Sequence, residues 1–135
     1  MVTQRRLMLT VDRSIEASPE AVWDVLTDVG EWPRWGPSIA RAQLDDGSSV
    51  LTADATGRVG TAVGVSLPFV VTEFVWGRRW AWTVAGVPAT RHQVDEVDTG
   101  TRVSFAVPWW AAPYATVCAL ALRNIERIVT ERASY

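Results

Sequence analysis

The sequence has one cysteine, one histidine and no lysine, so every basic side chain is an arginine. The lone Cys118 cannot form an internal disulfide, and with a single histidine it cannot build the usual Cys/His metal clusters. The formal net charge is −2 and the isoelectric point is about 5.3, whereas a nucleic-acid surface needs clustered positive charge. We therefore predict no metal site and no nucleic-acid partner.

Motifs for cofactor chemistry are also absent. The sequence has no phosphate-binding glycine loop, no nucleophile elbow and no His-Glu zinc motif, so we predict no cofactor. Arg5 and Arg6 precede alternating sequence rather than an apolar signal segment, which predicts a cytoplasmic location. Residues 103–122 carry no charge, but Pro108 and Pro113 interrupt them. We interpret this segment as a buried strand followed by a buried helix, not as a transmembrane segment.

The composition that remains is globular. The chain has 135 residues, of which 48% are hydrophobic and 21% charged, and this predicts one domain over residues 1–135 with a sizeable core. Eight residues are tryptophan. Residues 32–37 have the sequence Trp-Pro-Arg-Trp-Gly-Pro. A compact domain could connect its elements here with any short turn, so the two indoles are not required for the connection. This surplus of aromatic surface points to a hydrophobic cavity.

The N-terminal third predicts a strand and a helix. Leu7, Leu9 and Val11 alternate with polar residues, which is typical of a strand with one buried face. Ser18 is a suitable N-cap and its neighbour is a proline, which fits the first position of a helix. We expect this helix to end at Gly30 and the aromatic elbow to form a second short helix or turn.

The rest of the chain predicts antiparallel strands and a long helix. The strand at 53–63 is the weakest, because Gly57 and Gly60 interrupt it. Apolar residues recur at helical spacing after Tyr114, which we expect to begin a helix of about 20 residues and roughly 30 Å. The predicted strands lie at 39–44, 53–63, 68–76, 79–85, 89–97 and 101–107.

This order of elements defines an α+β fold. A single antiparallel sheet must bury its apolar face against the long helix, and its twist would wrap it around that helix. The space between sheet and helix is the natural place for a cavity.

Three motifs carry a resemblance to a known superfamily. They are Ala-Ser-Pro-Glu-Ala-Val-Trp at 17–23, Trp-Pro-Arg-Trp-Gly-Pro-Ser-Ile at 32–39 and Asp-Thr-Gly-Thr-Arg-Val at 98–103. In this order the chain resembles the SRPBCC or START-like helix-grip proteins, and among them the bacterial polyketide cyclase/dehydrase family. The resemblance covers nearly the whole chain. It implies a curved seven-stranded antiparallel sheet wrapped around a long C-terminal helix, with two short helices between strands 1 and 2.

The resemblance also implies a cavity for a hydrophobic small molecule. Some members cyclise and dehydrate polyketides without a cofactor, whereas others only carry or sense lipid-like or aromatic ligands. Since no single catalytic set runs through the superfamily, the resemblance leaves the choice between enzyme and carrier open. A third reading is an interaction module that docks a protein through Trp109 and Trp110. As adjacent strand residues, these two should point oppositely, with one facing inward. We expect a monomer or a homodimer.

The ligand-binding candidates are mostly aromatic. Trp80 and Trp82 share one strand face, and Trp82 falls at the aromatic position of the family's fifth strand. Core packing is the alternative for both. The remaining candidates are Trp35 at the elbow, Arg78 at a strand turn, Phe105 on the last strand and Tyr114 at the start of the helix.

Two residues are candidates for proton transfer. His92 shares strand parity with Val94 and is therefore expected on the concave face, either as a general base or as a structural histidine. Glu73 shares parity with Phe69 and Val71. If that set faces inward, a carboxylate lies in an apolar site and its pKa should rise. The alternative places Glu73 outward and Phe74 inward.

Overall fold

The computed structural model describes residues 8–133. The predicted contribution of Leu7 to the first strand lies outside these residues. The order of elements is that expected from the sequence, although several boundaries differ. The strands are β1 (Met8–Ile15), β2 (Ile39–Leu44), β3 (Thr56–Thr61), β4 (Ser66–Val75), β5 (Arg79–Val84), β6 (Val87–Val97) and β7 (Gly100–Pro108), and the helices are α1 (Pro19–Thr27), α2 (Trp32–Trp35) and α3 (Ala115–Ala133).

The seven strands form one antiparallel sheet in the order β1-β7-β6-β5-β4-β3-β2. Consecutive strands from β2 to β7 are neighbours, and β1 closes back onto β7. The two edge strands, β1 and β2, are joined by the segment that contains α1 and α2. The predicted α+β helix-grip fold is thereby confirmed.

Helix α1 begins as the sequence predicts but ends earlier. The Ser18 hydroxyl accepts a hydrogen bond from the Ala21 amide at 3.1 Å, and Pro19 opens the helix. Asp28 then adopts an extended conformation and its carboxylate accepts the Gly30 amide at 3.0 Å. The prediction that Gly30 ends this helix is wrong, because Asp28 caps a short 3₁₀ turn there.

Five of the eight tryptophans are buried and pack near α1 and α2, namely Trp23, Trp32, Trp35, Trp80 and Trp82. Trp32 is fully buried, stacks on Trp80 with ring centroids 5.3 Å apart, and donates its indole N–H to the Leu26 carbonyl at 3.0 Å. The rings of Phe69 and Trp82 also pack against Trp32, with ring centroids 5.5 and 5.3 Å from that of Trp32. Here the indoles are core, since they pack on one another and leave no open space between them.

Helix α3 covers the other part of the concave side, against β1, β7, α1 and α2. It begins at Ala115, one residue later than expected, because Trp109–Tyr114 forms a separate 3₁₀ segment that contains Pro113. Ion pairs connect the exposed side of α3 to neighbouring elements, and the shortest joins Arg13 of β1 to Glu126 of α3 at 2.7 Å. Within residues 8–133, no helix has the length and apolar character that crossing a bilayer requires.

Candidate functional site

An apolar cavity of about 470 Å³ borders the tryptophan cluster at Trp82 and opens to solvent, where Val63 and Val87 are exposed. Its walls come from the start of β2, the β3–β4 hairpin, β5, the start of β6, the end of β7 and the 3₁₀ segment. The lining residues are Ser38, Ile39, Val59, Gly60, Thr61, Ala62, Val63, Leu67, Trp82, Val84, Val87, Pro88, Ala89, Thr90, Val107, Pro108, Trp110, Ala111 and Tyr114.

The lining of this cavity is mostly apolar, and most of its residues are aliphatic. Among the described residues, no Asp, Glu, Arg or His side chain lines it, and only Trp82 and Trp110 contribute indoles. The expectation of indole-rich walls is therefore wrong. Close packing of the large rings consumed the space around them, and smaller side chains left the open volume.

Four hydroxyl groups and the indole N–H groups of Trp82 and Trp110 are the polar side-chain groups of the cavity, and the Trp82 N–H is buried without a partner among the described residues. Thr61 accepts a hydrogen bond from the Val65 amide at 3.1 Å and so supports the β3–β4 turn. Ser38 and Tyr114 hydrogen-bond each other through their hydroxyl oxygens at 2.6 Å. Burial raises the pKa of Tyr114 above its usual value of 10, although the bond to Ser38 opposes this. Tyr114 therefore stays protonated at neutral pH and can donate.

The fourth hydroxyl belongs to Thr90, which is 7% exposed. It lines the cavity and also borders a second, smaller void of about 20 Å³, enough for about one water. Ile39, Trp82, Thr90 and Tyr114 line both spaces. These four residues lie where the two spaces meet; Thr90 and Trp82 are buried there, whereas Tyr114 is 37% exposed.

His92 borders the small void and not the large cavity. Its ring stacks on Trp80 with centroids 3.8 Å apart and meets the edge of Phe105 at 4.7 Å. The Nδ1 atom lies 3.2 Å from the Trp80 carbonyl oxygen. Because a carbonyl only accepts, Nδ1 carries the proton and Nε2 the lone pair.

Burial keeps this imidazole neutral. Desolvation lowers the pKa of His92 from 6.5 to about 3, and the hydrogen bond to Trp80 only partly opposes it. A base with so low a pKa is weak at neutral pH. The position of His92 on the concave face agrees with its strand parity, but its surroundings are those of a core residue.

Glu73 lies on the outer face of the sheet. The register between β4 and β5 shifts between Val71 and Glu73, so the alternation of inward and outward side chains along β4 reverses there. Phe74 consequently points inward and packs against Trp23, with ring centroids 5.7 Å apart. The Glu73 carboxylate instead pairs with Arg79 and Arg91, each at 3.0 Å. Of the two orientations that the sequence left open, the structure has the outward one, and Glu73 is not a group of the cavity.

The structure separates the remaining candidates. Trp82 and Tyr114 line the large cavity, whereas Trp35 and Phe105 border only the small void. Trp80 is fully buried and lines neither. Arg78 lies at the β4–β5 turn, 3.5 Å from Asp95, and is also outside both spaces.

Trp109 and Trp110 are both exposed, by 57% and 55%, and only Trp110 lines the cavity. The expectation that one of them points inward is wrong, because a 3₁₀ segment replaces the strand geometry assumed for them. Sequence reasoning also missed most of the cavity wall, including Val84, Ala89 and Thr90. Small aliphatic residues and threonine on strands carry no signal that separates a cavity wall from a packed core.

Metal coordination has no evident place in this arrangement. Within residues 8–133, no group of three or more His, Cys, Asp or Glu side chains is positioned to hold a metal ion. Cys118 is buried on α3, where desolvation raises the pKa of its thiol to about 11.

An antiparallel seven-stranded sheet, a long C-terminal helix and an apolar cavity define a helix-grip protein. The chain belongs to the family described as "Polyketide cyclase / dehydrase and lipid transport", which matches residues 6–131. This membership confirms the predicted resemblance and indicates binding of a hydrophobic ligand. No curated protein matches the sequence.

Solved structures of the same fold come from several bacteria. Protein NE0264 from Nitrosomonas europaea is 17% identical with a TM-score of 0.73, over 96% of this chain and 97% of that one. Protein XoxI from Bacillus cereus is 16% identical with a TM-score of 0.71, over 93% and 97%. Protein SA2116 from Staphylococcus aureus, described as of unknown function, is 11% identical with a TM-score of 0.74, over 95% and 96%. At these identities the likeness shows the fold alone.

Proposed function

We propose that this protein binds a hydrophobic small molecule in the 470 Å³ cavity and carries it without chemical change. The observation that supports this most directly is the lining itself, which is aliphatic and uncharged. A concave apolar site of 300–1,000 Å³ is the usual form of a small-molecule site, and burying apolar ligand surface there supplies the binding energy. The description of the family includes lipid transport, which agrees with such a role.

The distribution of titratable groups favours a carrier over an enzyme. Proton transfer requires a side chain that can change its charge near neutral pH within reach of the ligand. Tyr114 is the ionisable side chain of the lining, and its pKa is raised further from neutrality. His92 has a pKa of about 3 and lies beyond Trp82 and Thr90.

Cofactor-free cyclisation or dehydration is a second candidate function. One observation favours it, because Nε2 of His92 carries a lone pair and the void it borders shares lining residues with the cavity. In that case His92→Asn protein would co-purify with a substrate that wild-type protein converts when it is added. A carrier would return the compound unaltered in both cases.

Native mass spectrometry of freshly purified protein tests the proposed binding first, through the mass of a co-purifying apolar compound. The uncharged fluorescent probe N-phenyl-1-naphthylamine then tests the location. Ala89→Phe fills part of the cavity and should weaken probe binding at least tenfold, because the probe and the ring compete for one volume. Ala53→Phe places the same ring on an exposed loop and is the matched control. Equal probe affinity in both variants would remove the cavity as the binding site.

A further inference from the structure

We propose that the cavity selects an uncharged ligand with a hydrogen-bonding oxygen at its inner end and an apolar body toward the exterior. This inference rests on the proposed function and adds the chemical class of the ligand. It depends on three properties of the lining: its lack of charge, its hydroxyl groups and the place where these hydroxyls lie.

The lack of charge excludes anionic ligands. A carboxylate or a phosphate inside the cavity would lose its hydration, and no arginine among the described lining residues could compensate its charge. His92 offers no compensation either, since it is neutral at physiological pH. An anionic group enclosed in the cavity should therefore bind poorly compared with a neutral group of similar size, whereas a charged head at the exposed outer part would keep its hydration.

The hydroxyl groups supply unused hydrogen-bonding capacity. In the Ser38–Tyr114 pair one hydroxyl donates to the other at 2.6 Å, so the accepting hydroxyl keeps its own hydrogen for a further bond. The Thr90 hydroxyl makes no side-chain hydrogen bond within residues 8–133, and the indole N–H of Trp82 beside it in the lining is buried without a partner among those residues. A buried polar group without a partner is costly, and a ligand oxygen would satisfy it.

The position of these hydroxyls sets the orientation of the ligand. Thr90 and Tyr114 both border the small void as well as the cavity, and Thr90 lies deeper, with 7% of the residue exposed against 37% of Tyr114. The outer part is lined by residues such as Val63, Val87 and Trp110, whose side chains are exposed and apolar. An alcohol, ketone or ester group should thus point inward, with hydrocarbon filling the outer part.

Three rigid compounds of nearly equal size test this inference by displacement of N-phenyl-1-naphthylamine at pH 7. We expect 2-naphthol to bind about two- to tenfold more tightly than naphthalene, which is the range expected for one net hydrogen bond. The anion 2-naphthoate should bind at least about tenfold more weakly than 2-naphthol. Thr90→Val and Tyr114→Phe each delete a hydroxyl with little change of shape. Each should reduce the preference for 2-naphthol, and the double variant should reduce it further than either single variant while leaving naphthalene affinity within about twofold.

The outcomes separate the two proposals. Probe binding that Ala89→Phe weakens, together with equal affinities for 2-naphthol and naphthalene, overturns the inference and leaves the proposed function standing. Binding of 2-naphthoate as tight as that of 2-naphthol, or a preference as large in the double variant as in wild type, overturns it as well. Absence of probe binding to wild-type protein overturns the proposed function itself. Ser38→Ala, at a half-buried position, repeats the hydroxyl test if circular dichroism shows that a buried variant does not fold.

Discussion

The buried His92 should make the protein sensitive to mild acid, and replacing it with phenylalanine should reduce that sensitivity. The imidazole is 2% exposed and lies among Trp80, Phe105 and other aromatic rings. It is held neutral there, whereas in the unfolded chain it titrates normally. Phenylalanine is an aromatic ring of similar size that does not titrate.

The magnitude follows from the two pKa values of this residue. The pKa is 6.5 in the unfolded reference and about 3 in the folded protein. Between these values the unfolded chain binds one more proton, so the free energy of unfolding rises with pH. The contribution is fully present above pH 6.5 and is lost as the pH falls toward 3, at up to about 1.4 kcal/mol per pH unit. From about pH 7.5 to about pH 4.5 the loss is about 3 kcal/mol.

Urea unfolding followed by tryptophan fluorescence measures this effect. The free energy of unfolding is determined for wild type and His92→Phe at several values of pH, and the difference between them is plotted. Carboxylates titrate alike in both proteins and cancel. Phenylalanine also loses the bond from Nδ1 to the Trp80 carbonyl, which shifts the difference by a constant. Parallel curves over this range would refute the reasoning, because they would mean that His92 accepts a proton in the folded state.

Three further predictions concern the fold and the outer face. Gly100→Ala should destabilise the protein by about 3 kcal/mol in urea unfolding, because φ is +145° and the new Cβ would lie 2.3 Å from the Ile15 carbonyl oxygen. The control Gly47→Ala, at φ +77° with open space around it, should cost about 1 kcal/mol. Equal losses of stability in the two variants would contradict this prediction. Glu73→Gln removes two half-exposed ion pairs and should cost less than about 1 kcal/mol without changing probe affinity, and a large loss of binding would mean that this carboxylate reaches the ligand. Ser18→Ala removes the N-cap of α1 and should cost about 1 kcal/mol, a value that unchanged thermal unfolding would disprove.

Local patterns predicted the elements because their causes are local. Ser18 followed by proline marks the start of α1, and the Asp98-Thr99-Gly100 sequence marks the β6–β7 turn. In both cases a few neighbouring residues satisfy the backbone groups concerned. Where a prediction was wrong, as for the end of α1 at Asp28, a competing local hydrogen bond decided the outcome.

The sequence predicted that an apolar cavity exists, but not most of the residues that line it. An excess of aromatic residues indicated apolar volume on the concave side, yet Trp32 and Trp80 stack face to face and fill the space they were expected to border. Pairwise packing of rings is a matter of three-dimensional fit, which spacing along the chain does not reveal. The open volume arose instead where Ala89 and its aliphatic neighbours share a space with the 3₁₀ segment and not with α1, α2 or α3.

Hydrophobic periodicity and capping residues determined that this chain forms a seven-stranded antiparallel sheet with a long C-terminal helix, because burial of apolar faces and pairing of backbone groups act through near neighbours. The tertiary structure decided which residues face the cavity. A shift in strand pairing turned Glu73 outward, and a shell of aromatic rings held His92 neutral within the core. Both outcomes depend on contacts between strands distant in sequence, and those contacts exist only once the sheet has formed.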